Sequence, residues 1–157
     1  MMIQIDIPSR IQTLEETDRL VYRLAKAVGL DEDSRDDILT AVHEALVNAI
    51  VHGNKEDEDL HVTLRLALHP DQLEIRIRDE GRGFDPDSVP NPLSSGNLFK
   101  PSGRGIHLMR VLMDKVTFRC SDRGMEVTMV KRISPPARAG QRRRRQSGDH
   151  WQLSCPL

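Results

Sequence analysis

Apolar residues switch along this chain between a period of two and a period near three and a half, and the switches predict its elements. In IQIDI, Ile3, Ile5 and Ile7 alternate with Gln4 and Asp6, a short strand closed by Pro8 and Ser9. From Ser9 or Arg10 to about Val28, Ile11, Leu14, Leu20, Val21, Leu24, Ala25 and Val28 recur at helical spacing, and Gly29 stops the helix. Asp31 to Asp33 open a second helix, their carboxylates placed at its positive end. It runs to His52 and ends at Gly53 and Asn54, both tolerant of the left-handed conformation. After the polar turn KEDED (55–59), Leu60, Val62, Leu64, Leu66 and Leu68 alternate, Pro70-Asp71 turns, and Leu73, Ile75 and Ile77 alternate again.

Periodicity is lost from Glu80 to Gly103, a long Gly- and Pro-rich loop of the kind that is usually functional. Ile106, Leu108, Met109, Leu112 and Met113 mark a third helix, and Val116–Cys120 with Met125–Ile133 a final hairpin. The order β-α-α-β-β-loop-α-β-β gives an α+β fold: a two-layer α/β sandwich with a mixed, mostly antiparallel sheet and helices on one face. Residues 1–133 form the domain, and the Arg- and Pro-rich residues 134–157 read as a disordered tail.

The net charge of −1 divides unevenly, since the tail carries +4 and the body −5. A mildly acidic body lacks the basic face of a nucleic-acid-binding domain. The four consecutive arginines at 142–145 are read as a solvated part of the tail. No apolar run is long enough for a membrane helix, and MMIQIDIPSR has no signal-peptide pattern, so a cytoplasmic protein without membrane contact is expected. Cys120, Cys155 and the six histidines show neither disulfide nor metal spacing.

Three places break the core pattern. On a wheel of about 100° per residue, Asn48 lies roughly 40° from Glu44, and apolar residues flank both. A carboxylate among apolar neighbours is costly unless it meets water, a metal or a partner. The plain alternative is an exposed Glu and an Asn near the end of a helix. In QLEIRIRD the inward positions Leu73, Ile75 and Ile77 are followed in phase by Asp79, and Gly81 and Gly83 come next. An inward acid beside close-approach glycines suits acceptance of a hydrogen bond from a buried amine, whereas a strand-ending Asp in a glycine turn is its common counterpart. In SGRGIHLMR (102–110), small residues lead into a helix whose free N–H groups favour an anion. Neither a Walker pattern nor a GxGxxG after the first strand is present.

In this order the motifs resemble the GHKL superfamily of ATP-binding domains, with the Bergerat-type fold. Glu44–Asn54 is similar to its N box, Asp79–Phe84 to its first glycine box and Ser102–Gly105 to its second. The short form, with HGN closing the N box and SGRGIHLMR closing the lid, most resembles the anti-sigma factor serine/threonine kinases. The resemblance implies ATP and Mg2+ as cofactors, a sigma factor and a small anti-sigma factor antagonist as partners, and a homodimer. It further implies that Asn48 coordinates Mg2+ and that Glu44 is the general base or water-orienting acid. Asp79 would take the adenine amino group, Gly81 and Gly83 would frame the base, and Gly103 and Gly105 would offer N–H groups to the phosphates. Arg104, placed at the hinge of a lid from Asp85 to Pro101, would neutralise γ-phosphate charge, a role inferred from position alone. The expected activity is phosphorylation of the antagonist and sequestration of the sigma factor. The alternative is a catalytically silent, nucleotide-gated switch protein. A sensor histidine kinase is not expected, because only about thirty residues precede the N-box helix.

Overall fold

The computed structural model describes residues 1–81, 104–121 and 124–133. The expected lid, Gly83, Gly103, Cys155 and the tail from residue 134 lie outside the described residues. Strand β1 (Met2–Pro8) leads through a 3-10 turn (Ile11–Thr13) into α1 (Leu14–Ala27) and α2 (Glu32–Val47). A π-helical turn (Asn48–Gly53) prolongs α2 before β2 (His61–Leu68) and β3 (Gln72–Arg78). Helix α3 (Arg104–Leu112), β4 (Lys115–Ser121) and β5 (Gly124–Arg132) complete the order.

The five strands form one sheet in the order β1-β2-β3-β5-β4, and every pairing is antiparallel. Of the mixed and antiparallel alternatives, the described strands take the second. Register converts the period-two pattern into rows. Ile5, Leu64, Ile77, Val127 and Phe118 stand side by side across the sheet, as do Ile3, Leu66, Ile75, Met129 and Val116. Apart from the partly exposed Ile3 at the sheet edge, these rows share one core with Val21 and Ala25 of α1, Ile38, Val42 and Leu46 of α2, and Ile106 and Met109 of α3. The other face carries Gln4, Arg65, Arg76, Thr128 and Thr117 in register, none of them buried. Helices therefore cover one face, as the alternation requires.

Local chemistry sets the helix boundaries. Gly29 ends α1 with a φ of 80°. Asp31 caps α2, its carboxylate accepting from the Ser34 N–H at 2.8 Å. That backbone donor, foremost among its contacts, holds the Asp31 carboxyl below its ordinary range. At its far end α2 departs from expectation. The Asn54 N–H reaches back five residues to Ala49 O at 2.8 Å, and Asn54 has an ordinary φ of −81°. The left-handed residues are instead Lys55 and Glu56, with φ of 55° and 58°. The wider turn delays the reversal of the chain by two residues.

Two ties hold the periphery. Lys131 Nζ donates to Asp37 Oδ2 and to Leu112 O, both at 2.7 Å, joining β5 to α2 and to the end of α3. The two ends of the domain flank the β2–β3 turn: the Leu68 N–H donates to Met1 O, and the Ile133 N–H to Asp71 O, both at 2.8 Å.

Candidate functional site

Where the π-helical turn crosses the end of β3, a narrow cleft of about 20 Å3 opens between α2, α3 and the sheet. Asn48 and Asp79 are its polar walls, and Ile77, Met109, Phe118 and Met125 line much of the rest. Asp79 occupies the next place in the inward series of β3, so its carboxylate stands where a core side chain would, 3% exposed. Its N–H continues the ladder to Met125 O at 3.0 Å. Oδ1 accepts from the N–H groups of Gly81 at 3.0 Å and Met125 at 3.1 Å. Among the described residues both bonds fall on Oδ1 and neither uses Oδ2. Burial pushes the Asp79 carboxyl above its ordinary range, against the two N–H groups that favour the charged form.

Three glycines make room for this acid. A Cβ on Gly53 would stand 2.5 Å from Asp79 Cγ, and one on Gly124, whose φ is 115°, would overlap the Asp79 carbonyl. One on Gly81 would overlap the Gly53 carbonyl, so the close approach demanded of Gly81 is to the chain behind the cleft. By sequence, Gly53 reads as a helix end and as part of the HGN that closes the N-box resemblance, and Gly124 as part of a hairpin turn. Gly124 and Met125 open β5, with Met125 in phase with the inward Val127 and Met129, and the place of Gly124 at the hairpin tip is the signal the sequence offers for it. Asn54, fully buried, reads in the sequence as a helix stop and the last residue of the N-box resemblance, neither of which marks it as buried.

Glu44 lies one turn before Asn48 and is half-buried. Its carboxylate faces the first turn of α3, where a Cβ on Gly105 would stand 2.5 Å from Glu44 Oε2. Among the described residues the side chains of Glu44 and Asn48 make no hydrogen bond or ion pair with the protein. Arg104 opens α3 and is exposed. The fold thus places Asn48 with Asp79 in one cleft and Glu44 against Gly105 at its α3 side. No three His, Cys, Asp or Glu side chains among the described residues form a metal-holding group. No helix among them is long and apolar enough to cross a membrane.

A sequence model of the histidine kinase-like ATPase domain matches residues 7–131. The chain belongs to that family. Its similarity extends to proteins named serine-protein kinase RsbW. One from Bacillus subtilis is 29% identical over 138 residues, covering 84% of this chain and 86% of its own. Another from Bacillus cereus is 30% identical over 137 residues, covering 83% and 84%. A crystal structure of the RsbU and RsbW domains of a Mycobacterium tuberculosis protein superimposes with a TM-score of 0.67 at 19% identity. The match covers 90% of this chain and 35% of that one, and it shows a shared fold. The antiparallel five-stranded sheet with helices on one face is accordingly the histidine kinase-like ATPase fold, and the N-box helix and glycine-flanked strand exit lie within the matched residues.

Proposed function

We propose that this protein is an ATP-dependent serine/threonine kinase that phosphorylates a small anti-sigma factor antagonist and sequesters a sigma factor, working in the cytoplasm as a homodimer. The observation that carries the reading is the joint position of Asn48 and Asp79 in one cleft, with the Glu44 carboxylate at the start of α3. Relatives of nearly equal length are named serine-protein kinases, which supports the reaction class. The catalytic domain is 1–133, and 134–157 is an appended tail.

The residues present fit Mg-ATP. Asp79 Oδ2 offers a buried acceptor to the exocyclic amine of adenine, while Ile77, Met109 and Phe118 give the ring an apolar seat. Gly81 and Gly83 frame the base. The Asn48 carboxamide oxygen is a suitable hard ligand for Mg2+, an ion that completes its shell with phosphate oxygens and water. When bound, Mg-ATP supplies the phosphoryl group and neutralises much of its charge. What remains for the chain is positioning and electrostatics. First-turn N–H groups of α3 at Gly105, with Gly103 before it, hold phosphate oxygens, and Arg104 adds positive charge beside the γ-phosphate. Glu44 takes the proton of the acceptor Ser or Thr hydroxyl.

Incubating the protein with γ-labelled ATP and an antagonist domain tests this. Label should move to a Ser or Thr of the antagonist, and Glu44→Ala should abolish transfer while ATP still binds. Intact ATP binding without any transfer would replace the kinase by a nucleotide-gated switch that holds its partner unmodified. Pull-down of the sigma factor with and without ATP tests sequestration.

A further inference from the structure

Behind the base end of the cleft stands a side chain that the proposed chemistry does not use. Asn54 follows the π-helical turn and is 2% exposed. Its Nδ2 donates to Ser9 Oγ at 2.6 Å and to His61 O at 2.9 Å, and its Oδ1 accepts from the Glu80 N–H at 2.8 Å. The His61 N–H in turn donates to Glu80 Oε2 at 2.7 Å. Asn54, His61 and Glu80 therefore close a ring of hydrogen bonds. Both amide protons of Asn54 are satisfied, as a buried carboxamide requires.

The ring bears directly on Asp79. Glu80 follows Asp79 in the chain, and the Gly81 N–H holds Asp79 Oδ1. Gly53, the residue before Asn54, touches the Asp79 carboxylate so closely that no Cβ fits between them. Gly81 rests on the Gly53 carbonyl with the same lack of space. Residues 53–54 and 79–81 are thus laid together with the Asp79 side chain between them. The Asn54 Oδ1 bond to Glu80 N–H ties one segment to the other.

We propose that Asn54 is the positioning residue for Asp79: by fixing Glu80 and Gly81 against Gly53, it aims the carboxylate and so sets selectivity for a 6-aminopurine. The inference rests on the reading that Asp79 accepts from the adenine amine. Without the tie, residues 80–81 are free to shift relative to Gly53, and the Asp79 carboxylate loses the Gly81 hold while keeping the Met125 N–H. The aim of Oδ2 is then loosened, while the triphosphate end of the cleft, built on α2 and α3, is untouched.

The test compares binding of ATP and inosine triphosphate, which carries a carbonyl in place of the amine, to the full-length chain in the presence of Mg2+. Wild type should prefer ATP, and Asn54→Ala should lower that preference about tenfold or more, with inosine triphosphate affinity within about threefold of wild type. Asn54→Asp keeps an oxygen for the Glu80 N–H but sets a carboxylate oxygen against His61 O, so it should lower the melting temperature and, once folded, retain more of the preference than alanine does. Ser9→Ala removes only the bond toward β1, so it should lower the melting temperature and leave the preference unchanged. Asn54→Ser, whose hydroxyl is one atom short of Glu80, carries the same expectation as alanine where the alanine chain does not fold. A wild type that binds both nucleotides alike defeats the adenine reading of Asp79. A wild type that discriminates, beside a folded Asn54→Ala or Asn54→Ser variant that discriminates equally, overturns the role of Asn54 alone.

Discussion

Asp79→Asn is the substitution that tests the proposed recognition of adenine. The asparagine is nearly isosteric, and its Oδ1 can keep both the Gly81 and the Met125 N–H bonds. What changes is the atom at the Oδ2 position, where an NH2 group would face the amine of adenine, donor against donor. A hydrogen bond to a charged acceptor contributes about 1.5–3 kcal/mol, and an unsatisfied buried donor costs about 1–3 kcal/mol. The ligand retains water access on its outer side, so a combined loss of about 3–4 kcal/mol is expected, on the order of 100- to 1,000-fold in Kd for Mg-ATP. Isothermal titration with ATP and inosine triphosphate reads this directly. ATP affinity should collapse, and the variant should hold inosine triphosphate at least as well as ATP, since the new NH2 can donate to the carbonyl. Unchanged ATP affinity in a folded variant would refute the assignment.

The same variant has a second signature in the free protein. Burial raises the folded-state value of Asp79 above the ordinary 3.8, so the native state binds its proton more readily than the unfolded chain does. Ionised Asp79 therefore costs stability at neutral pH. The penalty fades as pH falls through the raised folded value and is gone below 3.8. The carboxamide of the Asp79→Asn variant does not titrate and has no such dependence. The melting temperature of the variant relative to wild type should be highest near neutrality and should decline as the solution is acidified. A constant difference across that range would contradict the burial argument.

Other expectations are more local. Glu44→Gln should lower phosphoryl transfer by about 100- to 10,000-fold with little change in ATP affinity, measured by single-turnover transfer and by titration. Lys131→Met strands Asp37 and the Leu112 carbonyl at a site where the ammonium is 13% and the carboxylate 20% exposed. It should cost about 1–3 kcal/mol in denaturant unfolding, and a loss of only a few tenths would demote the tie. Asp31→Ala removes the α2 cap at a cost of about 1 kcal/mol at neutral pH. Because the folded Asp31 value is depressed, that cost should be present above 3.8 and should vanish as pH falls through the folded value.

Sequence periodicity discloses faces well and neighbours poorly. Alternation places Asp79 on the inward side because a strand's side chains have a strict period, and the backbone ladder sets it beside Met125. The same alternation says nothing about which strand lies next to which. That β5 and not β4 pairs with β3 follows from the path of α3 and the closing hairpin. The core face of α2 is legible in Ile38, Val42, Ala45 and Leu46, all buried. The π-helical turn that follows is not, since one wider turn shifts the faces too little to mark the residue pattern. Asn54 escapes the sequence for a related reason. A buried asparagine in a polar-looking HGNKEDED stretch has the composition of an exposed turn, and its role is set by Glu80 and His61, outside that stretch. Gly81 and Gly105 stand out in the sequence for their place in glycine-led motifs, but the atoms that crowd them belong to Gly53 and Glu44, which no spacing rule names.

The pairing of both ends of the domain with the β2–β3 turn has an architectural consequence. Asp71, which anchors Ile133, and Leu68, which anchors Met1, sit at one end of the sheet, and Asp79 lies at the opposite end of β3. At about 3.4 Å per residue, strand β3 holds the cleft roughly 20–27 Å from either attachment point. Residues 1 and 133 thus both lie at the end of the sheet away from the cleft. Entry and exit are adjacent, so the unit suits insertion into a longer polypeptide as a cassette, with the cleft at its far end.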